Sequence, residues 1–268
     1  MYHNIIGKGV IFVKKLYQKS QLGFALVWIG LYVVVMNIAL QICGGFDDLP
    51  GKTIPQLLVP VGCILVLAIL ATVFILRNGL ARQFGLCRVK RDSKFFLFFL
   101  PLILMSCTNL KNGVGLNAPV TLSLLMMANM AIAGYVEEII FRGFLFRAME
   151  KDNLTSAIIV SAVTFGAGHI VNLGNTADTL GVLLQVCYAI VIGFLYTVIV
   201  YKGGSLFPCI LSHMFVNGSS VFALENGPFS RLVEALTHTQ IAAAEDAISA
   251  ALIILISGGY ALWLWKRA

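Results

Sequence analysis

Charged and imidazole side chains are rare in the apolar stretches of this sequence, and the few that occur there are suited to proton-transfer chemistry. Glu137, Glu138 and Arg142 lie in one hydrophobic stretch, His169 lies in a second and His213 in a third. An ionised group at the centre of a bilayer costs about 2.5–3.5 kcal/mol even on the most lenient insertion scale. This cost indicates that the residues have a use, and it predicts one buried polar site built by several helices.

Spacing within the first stretch predicts which of its groups pair. Glu138 and Arg142 are four residues apart, so on a helix they can form an ion pair that lowers the cost of burying each charge. Glu137 projects about 100° away from this pair. A carboxylate in an apolar site without a cationic partner suits a general base or acid. Structural roles remain the alternative: an ion pair that locks the helix, and interhelical hydrogen bonds from the imidazoles.

Two further pairs of residues have the same spacing of four. Phe165 and His169 form the first pair, which places an aromatic ring beside an imidazole. His213 and Asn217 form the second pair, which presents imidazole and carboxamide donors on one helix face. Both pairs therefore fit a site assembled from the faces of separate helices.

The elements that must position these groups are membrane helices. The chain has 268 residues, of which 59% are hydrophobic and only 12% are charged, and its mean hydropathy is +0.91. Soluble domains carry about 25% charged residues. We therefore predict an all-α, polytopic helix bundle that forms a single membrane-embedded domain over residues 1–268. Its apolar runs predict about eight spans, at residues 22–43, 55–76, 95–110, 124–149, 154–173, 179–201, 205–224 and 246–265.

The distribution of basic residues predicts the orientation of these spans. If the N-terminus is inside, sixteen of the 19 Lys and Arg residues fall on the inner side, and only Lys52, Lys111 and Arg231 fall on the outer side. This is the bias of the positive-inside rule, and it predicts that both termini are cytoplasmic. The basic surplus then serves topology and contact with membrane lipids. A nucleic-acid partner is not expected.

The predicted spans bring the polar groups to overlapping depths. Counting from the turn near Asp152, Glu137 lies about 21 Å and His169 about 24 Å along their helices. His213 and Asn217 lie about 12 Å and about 18 Å above the inner boundary of the seventh span. With ordinary helix tilt, one cavity in the inner half to the middle of the membrane can receive all four side chains.

The three stretches also form a known set of motifs. Residues 137–142 read EExxxR, residues 165–169 read FxxxH and residues 213–217 read HxxxN. In this order on successive apolar helices, they resemble the CPBP family of intramembrane proteases, which includes the eukaryotic CAAX prenyl endoprotease and bacterial proteins linked to bacteriocin self-immunity. The resemblance covers about residues 119–224. It implies an eight-helix bundle, a cavity open toward the cytoplasm, and an endopeptidase that forms no covalent acyl-enzyme.

The residues agree with hydrolysis by activated water. The sequence has no GxSxG motif, and no serine or cysteine is marked as a nucleophile. We expect Glu137, helped by His169, to take the proton of the attacking water. His213 and Asn217 are expected to stabilise the oxyanion. The residues expected to support the site are Glu138, Arg142 and Phe165.

The cofactor and the class of function stay open at this point. A metal-free glutamate mechanism is favoured, so no cofactor is expected, but Glu137, His169 and His213 could instead bind zinc with an open water position. A transporter is the alternative from another class, because buried Glu, His and Arg sets also form proton relays. A non-catalytic membrane immunity protein is a third interpretation.

The expected partners follow from the protease interpretation. The resemblance implies a protein or peptide substrate, which is membrane-associated and in some cases prenylated. Short loops and the lack of a eukaryotic targeting signal indicate the inner (cytoplasmic) membrane of a bacterium. The sequence does not identify the physiological substrate.

Overall fold

The chain is mostly helical in the part described by a computed structural model, which comprises residues 13–45, 48–89, 102–103, 105–238 and 242–267. No strand occurs in these ranges, and their one isolated β-bridge joins Val114 and Ala223. The predicted all-α class is confirmed.

Among the described residues, eight helices form the bundle, and some of them continue as 3₁₀- or π-helix. In chain order they are α1 (Gln21–Cys43), α2 (Ile54–Arg77), α3 (Val120–Glu138), α4 (Leu154–Gly168), α5 (Thr179–Gly203), α6 (Phe207–Ser220), α7 (Pro228–Thr237) and α8 (Ala242–Lys266). Helix α3 continues without a break as a π-helix (Ile139–Phe146) and a last α-turn (Arg147–Met149). Helix α4 continues as a 3₁₀-helix (His169–Gly174). Shorter 3₁₀ segments lie at Leu49–Gly51 and Thr108–Leu110.

Six of these helices are long and apolar enough to cross a membrane: α1, α2, α5, α8, and α3 and α4 with their continuations. This agrees with the predicted bundle of about eight spans. Helix α6 has 14 residues, or about 21 Å, so the predicted span 205–224 is too long. The chain turns after Ser220 because Phe222 accepts a backbone hydrogen bond from Gly115 (2.8 Å). The predicted span 95–110 lies mainly outside the described residues.

The bundle has two chemically different ends. At the first, Gln83 donates to the hydroxyl of Tyr17 (2.6 Å) and Leu206 donates to the carbonyl of Gly85 (2.8 Å). We call this the basic end, and its described Lys and Arg residues are Lys14, Lys15, Lys19, Arg77, Arg82, Arg88, Arg147, Lys151, Lys202, Lys266 and Arg267.

The opposite end is held together by polar contacts around Asn112. Its side chain donates to the carbonyl of Glu225 (2.9 Å) and to the carboxylate of Glu245 (2.8 Å), and Lys111 pairs with Glu245 at 3.1 Å. We call this the acidic end, because its described charged residues are Asp48, Asp178, Glu225, Glu234, Glu245 and Asp246 with only Lys52, Lys111 and Arg231.

Aromatic side chains fill the half of the bundle nearer the basic end. The rings of Tyr17, Phe24, Phe74, Phe84 and Phe144 stand with centroids 4.8–5.8 Å apart, mostly edge to face. These are the separations that aromatic pairs prefer. All eight residues of the π-helix are buried as well. The interior around these rings is therefore densely packed, and we call it the solid half.

Glycines bring the helices of the site into close contact. A Cβ on Gly134 of α3 would stand 3.0 Å from the carbonyl carbon of His213, and one on Gly166 of α4 would stand 2.6 Å from the amide nitrogen of Ile190. Small residues at such crossings allow membrane helices to approach closely. The first contact sets His213 beside Glu137, which lies one turn along α3.

Candidate active site

The predicted ion pair between Glu138 and Arg142 is confirmed. Nη1 of Arg142 lies 2.8 Å from Oε1 of Glu138, and both side chains are fully buried. The guanidinium also lies over two aromatic rings, 4.2 Å from the centroid of Phe165 and 5.6 Å from that of Tyr196. One carboxylate and two ring faces therefore stabilise the buried cation.

His213 bridges the two glutamates of α3. Its Nδ1 lies 2.8 Å from Oε1 of Glu138, the oxygen that also accepts from Arg142, and its Nε2 lies 3.3 Å from Oε2 of Glu137. Because the carboxylate of Glu138 is paired with a guanidinium, it acts as an acceptor and Nδ1 donates to it. Glu138 thus fixes the tautomer and the orientation of the ring. The sequence did not predict this bridge, because it spans 75 residues of chain.

Glu137 has a second partner that the sequence analysis missed. The hydroxyl of Tyr32, on α1, donates a hydrogen bond to Oε1 of Glu137. Oε2 is buried and forms no hydrogen bond within the described part of the chain. A signal existed for Tyr32, because it lies in the middle of an apolar helix and a buried tyrosine hydroxyl usually has a partner.

His169 and Asn217 present their side chains to open space. His169 begins the 3₁₀ segment after α4, and its ring stands perpendicular to Phe165 with centroids 5.3 Å apart, as the spacing predicted. Neither side chain makes a hydrogen bond to another described residue, and both line the same cavity. Their donors and acceptors are therefore available to a ligand.

The cavity has a volume of about 750 Å³ and contains the four residues predicted to act in catalysis. This is within the range of about 300–1,000 Å³ that is usual for ligand sites. Asn129 also lines it, with a buried Oδ1 that has no partner among the described residues. Asn129 lies eight residues before Glu137 on the same helix face, and a polar residue at this position in an apolar span was a second missed signal.

The cavity extends from the site toward the acidic end, where Lys111, Asp178 and Asp246 line it. It therefore extends into the half of the bundle nearer the acidic end, whereas the sequence predicted a cavity between the basic end and the middle. The prediction used only the depth of the polar groups. It could not show that aromatic rings fill the space between those groups and the basic end.

The residues named as the alternative zinc ligands, Glu137, His169 and His213, all line the cavity. Among the described residues, no group of three His, Cys, Asp or Glu side chains is placed to hold a metal ion. Both ring nitrogens of His213 face carboxylates, at 2.8 Å and 3.3 Å.

Comparison with known families supports the motifs. Residues 119–219 match the sequence model of the family described as Type II CAAX prenyl endopeptidase Rce1-like. The match runs from the start of α3 into α6 and includes all three motifs, so the resemblance stated above is confirmed. No curated protein matches the chain. With six apolar helices and a match to a membrane protease family, the chain is an integral membrane protein.

Proposed function

We propose that this protein is an intramembrane endopeptidase that cleaves membrane-associated proteins or peptides with a water activated by Glu137, and the match of residues 119–219 to the Rce1-like type II CAAX prenyl endopeptidase family supports this. The observation that carries the proposal is the position of Oε2 of Glu137. This oxygen lies on the cavity wall, buried, without a hydrogen bond from a described residue, and 3.3 Å from His213. Such an oxygen can accept a hydrogen bond from a water and then its proton.

Three neighbours prepare Glu137 for this role. The hydrogen bond from Tyr32 holds one carboxylate oxygen, which leaves the other to face the water. His213 stands beside that free oxygen, and its ring is held by Glu138. In this mechanism the proton taken from water resides on Glu137 or His213 and then passes to the nitrogen of the leaving amine.

The oxyanion needs donors that are not already engaged. Attack by the water oxygen forms a C–O bond and places negative charge on the former carbonyl oxygen, and collapse of this intermediate breaks the C–N bond. Asn217 and His169 line the cavity with unengaged side chains, so we assign oxyanion stabilisation to them. The two histidines therefore exchange the roles expected from the sequence, because the nitrogens of His213 face the two glutamates.

The proposal extends to the substrate and the membrane. A cavity walled by apolar helices supports substrates that are themselves membrane-associated, with or without a prenyl group. The basic flanks and short loops support a bacterial inner membrane with both termini cytoplasmic.

The test compares Glu137→Gln with Glu150→Gln in purified protein. The substrate is a fluorescence-quenched peptide library in detergent, supplied in farnesylated and unprenylated forms. Glu137→Gln keeps the shape of the side chain but cannot accept the proton, so we expect cleavage to fall by about 10²–10⁴-fold with unchanged thermal stability. Glu150 pairs with Arg147 outside the cavity, and its variant is expected to cleave like the wild type.

Two results would contradict the proposal. Cleavage by Glu137→Gln at the wild-type rate would remove Glu137 as the base. A folded wild type that cleaves no peptide of the library would favour the non-catalytic interpretation.

A further inference from the structure

One buried polar side chain on the cavity wall takes no part in the chemistry proposed above. Asn129 of α3 is 1% exposed, it lines the cavity, and its Oδ1 is buried without a hydrogen bond from any described residue. Asn78, by contrast, donates to the carbonyl of Phe74 four residues before it (2.8 Å). Burying a carboxamide without a partner costs free energy, so Asn129 is expected to have a partner that enters the cavity.

Two contacts between α1 and α3 fix the depth of Asn129. Tyr32 bonds to Glu137. Cys43, eleven residues after Tyr32, lies in one packed cluster with Met126, eleven residues before Glu137. The two helices are therefore antiparallel and in register. Asn129 lies eight residues, or about 12 Å, from Glu137 in the direction of the acidic end.

The wall beside Asn129 is apolar. On α1, Met36 and Leu40 line the cavity near this depth, and on α3, Met130 and Ala133 do so. These side chains can contact the apolar side chains of a bound peptide, but they offer no hydrogen bond to its backbone. A backbone N–H or C=O group that loses its water here without a new partner weakens binding.

The carboxamide of Asn129 is the complement of a peptide group. It carries a C=O acceptor and an NH₂ donor, and rotation about χ2 presents either of them to the cavity. It is also neutral, and the four apolar residues beside it supply no counter-charge. This part of the wall is therefore suited to a neutral backbone amide and not to an ionised side chain.

We propose that Asn129 binds the backbone of the substrate peptide, three or four residues from the bond that is cleaved. An extended peptide advances about 3.3 Å per residue, so the separation of about 12 Å between Asn129 and Glu137 corresponds to this number of residues. We call this contact the backbone subsite. It rests on the proposed peptidase function and adds a requirement to it: the substrate must extend at least this far on one side of the cleaved bond, whatever its side chains are.

The first test compares Asn129→Leu with Asn37→Leu. Leucine keeps the branched shape of asparagine and removes both hydrogen-bonding atoms. We expect Asn129→Leu to lower kcat/KM by about 5–150-fold, because a buried group of the substrate is left unpaired, with an unchanged or higher melting temperature. Asn37 lines the same cavity but accepts a hydrogen bond from Gln41 (3.0 Å), and its variant is expected to cleave like the wild type. A lower melting temperature with full cleavage would give Asn129 a structural role and overturn the proposal.

Changes in the substrate locate the contact. In a series of peptides, one backbone amide at a time is replaced by an ester, which removes a single N–H donor and keeps every side chain. With the wild type, the ester three or four residues from the cleaved bond is expected to lower kcat/KM by about 5–150-fold. With Asn129→Leu, the same ester should cause no further loss, because its partner is already absent. Equal losses in both proteins overturn the proposal, even if Asn129→Leu is less stable.

Peptide binding separates this inference from the proposed function. The unprenylated library is passed over immobilised Glu137→Gln protein, and the retained peptides are quantified by mass spectrometry. Adding Asn129→Leu to this protein is expected to lower retention by about 5–150-fold, whereas adding Asn37→Leu is not. If the wild type cleaves no peptide but this difference is found, the backbone subsite stands and the peptidase function fails. If peptides are cleaved and the two leucine variants bind and cleave alike, the backbone subsite fails and the peptidase function stands.

Discussion

The two halves of the bundle use similar apolar helices for opposite purposes. Toward the basic end, five aromatic rings and a fully buried π-helix fill the interior. A cavity of about 500 Å³ at that end is lined by the exposed residues Arg82, Gln83 and Arg88 among others, and none of the proposed catalytic groups lines it. Toward the acidic end, the same helices stand apart around a cavity of about 750 Å³. The groups proposed to act in catalysis lie where the two halves meet. The solid half holds these groups in position, and the hollow half gives them access to substrate.

The polar atoms without partners gather at this boundary. Buried oxygen or nitrogen atoms of Glu137, Glu138, Arg142 and Asn129 lack a hydrogen bond from any described residue. Such atoms are uncommon in native proteins and point to a function or to bound water. Outside the boundary, only Nε of Arg147 has this property among the described residues. Packing in the solid half therefore also offsets the free-energy cost of burying these polar atoms.

The largest effect is expected from removing a ring in the solid half. Phe24→Ala should lower the free energy of unfolding by about 3–5 kcal/mol, because its contacts with four neighbouring aromatic rings are lost and the packed site cannot collapse. Phe229→Ala makes the same change at the rim of the cavity, where the side chain is only partly buried, and should cost less than about 1.5 kcal/mol. Thermal unfolding in detergent measures the stability of both variants. Equal losses of stability would contradict the difference in packing between the two halves.

A similar loss of stability is expected at the boundary. Arg142→Ala leaves Glu138 as a buried charge without its partner, which costs about 3–5 kcal/mol. Arg147→Ala breaks a partly exposed pair with Glu150 and should cost at most about 1 kcal/mol. Unfolding and expression level are the measurements. An Arg142→Ala protein that is fully stable yet inactive would show that Arg142 takes part in the reaction and does not only stabilise the site.

A loss of rate without loss of stability is expected in the hollow half. Asn217→Ala should lower kcat by about 10²–10³-fold with little change in KM, because an oxyanion donor acts in the transition state. Asn172 lines the same cavity but is bonded to Gln185 (3.1 Å), and Asn172→Ala should leave kcat nearly unchanged. Equal effects of the two variants on kcat would remove the oxyanion assignment.

The smallest of these effects is expected for Tyr32→Phe. It deletes one hydrogen bond to a carboxylate, worth about 1.5–3 kcal/mol, which corresponds to about 10–150-fold in kcat. Tyr135→Phe on α3 deletes a hydrogen bond to Thr72 (2.6 Å) away from the cavity and should leave kcat unchanged. A purely structural role for Tyr32 would instead lower the melting temperature and leave kcat intact.

The polar residues at the boundary between the halves could be identified from the sequence, because charged residues are rare in apolar helices. Glu138 and Arg142 pair as their spacing predicted, and Phe165 contacts His169 as predicted. The bridge by His213 could not be predicted, because it depends on the close crossing of α3 and α6 at Gly134. Tyr32 escaped notice because a tyrosine in an apolar helix resembles its neighbours in hydropathy.

The least predictable property was which part of the bundle is densely packed and which part contains the cavity. Sequence placed the polar groups by depth, but phenylalanines occur in both halves, and only the packing separates a solid region from a hollow one. The same limit applies to α6. Its apolar pattern continues past Ser220, and the turn that ends it depends on backbone pairing with residues 113–115.

The division of the cavity wall between segments has a consequence for the evolution of selectivity. The motifs all lie within residues 119–219, whereas Tyr32, Met36 and Leu40 of α1 and Ile253 of α8 line the same cavity from outside that segment. Mutations in these two outer helices can reshape the walls without touching the hydrolytic groups. Related proteins with identical motifs are thus free to diverge in the peptides they accept, and a chimera that exchanges α1 and α8 would carry selectivity from one to another.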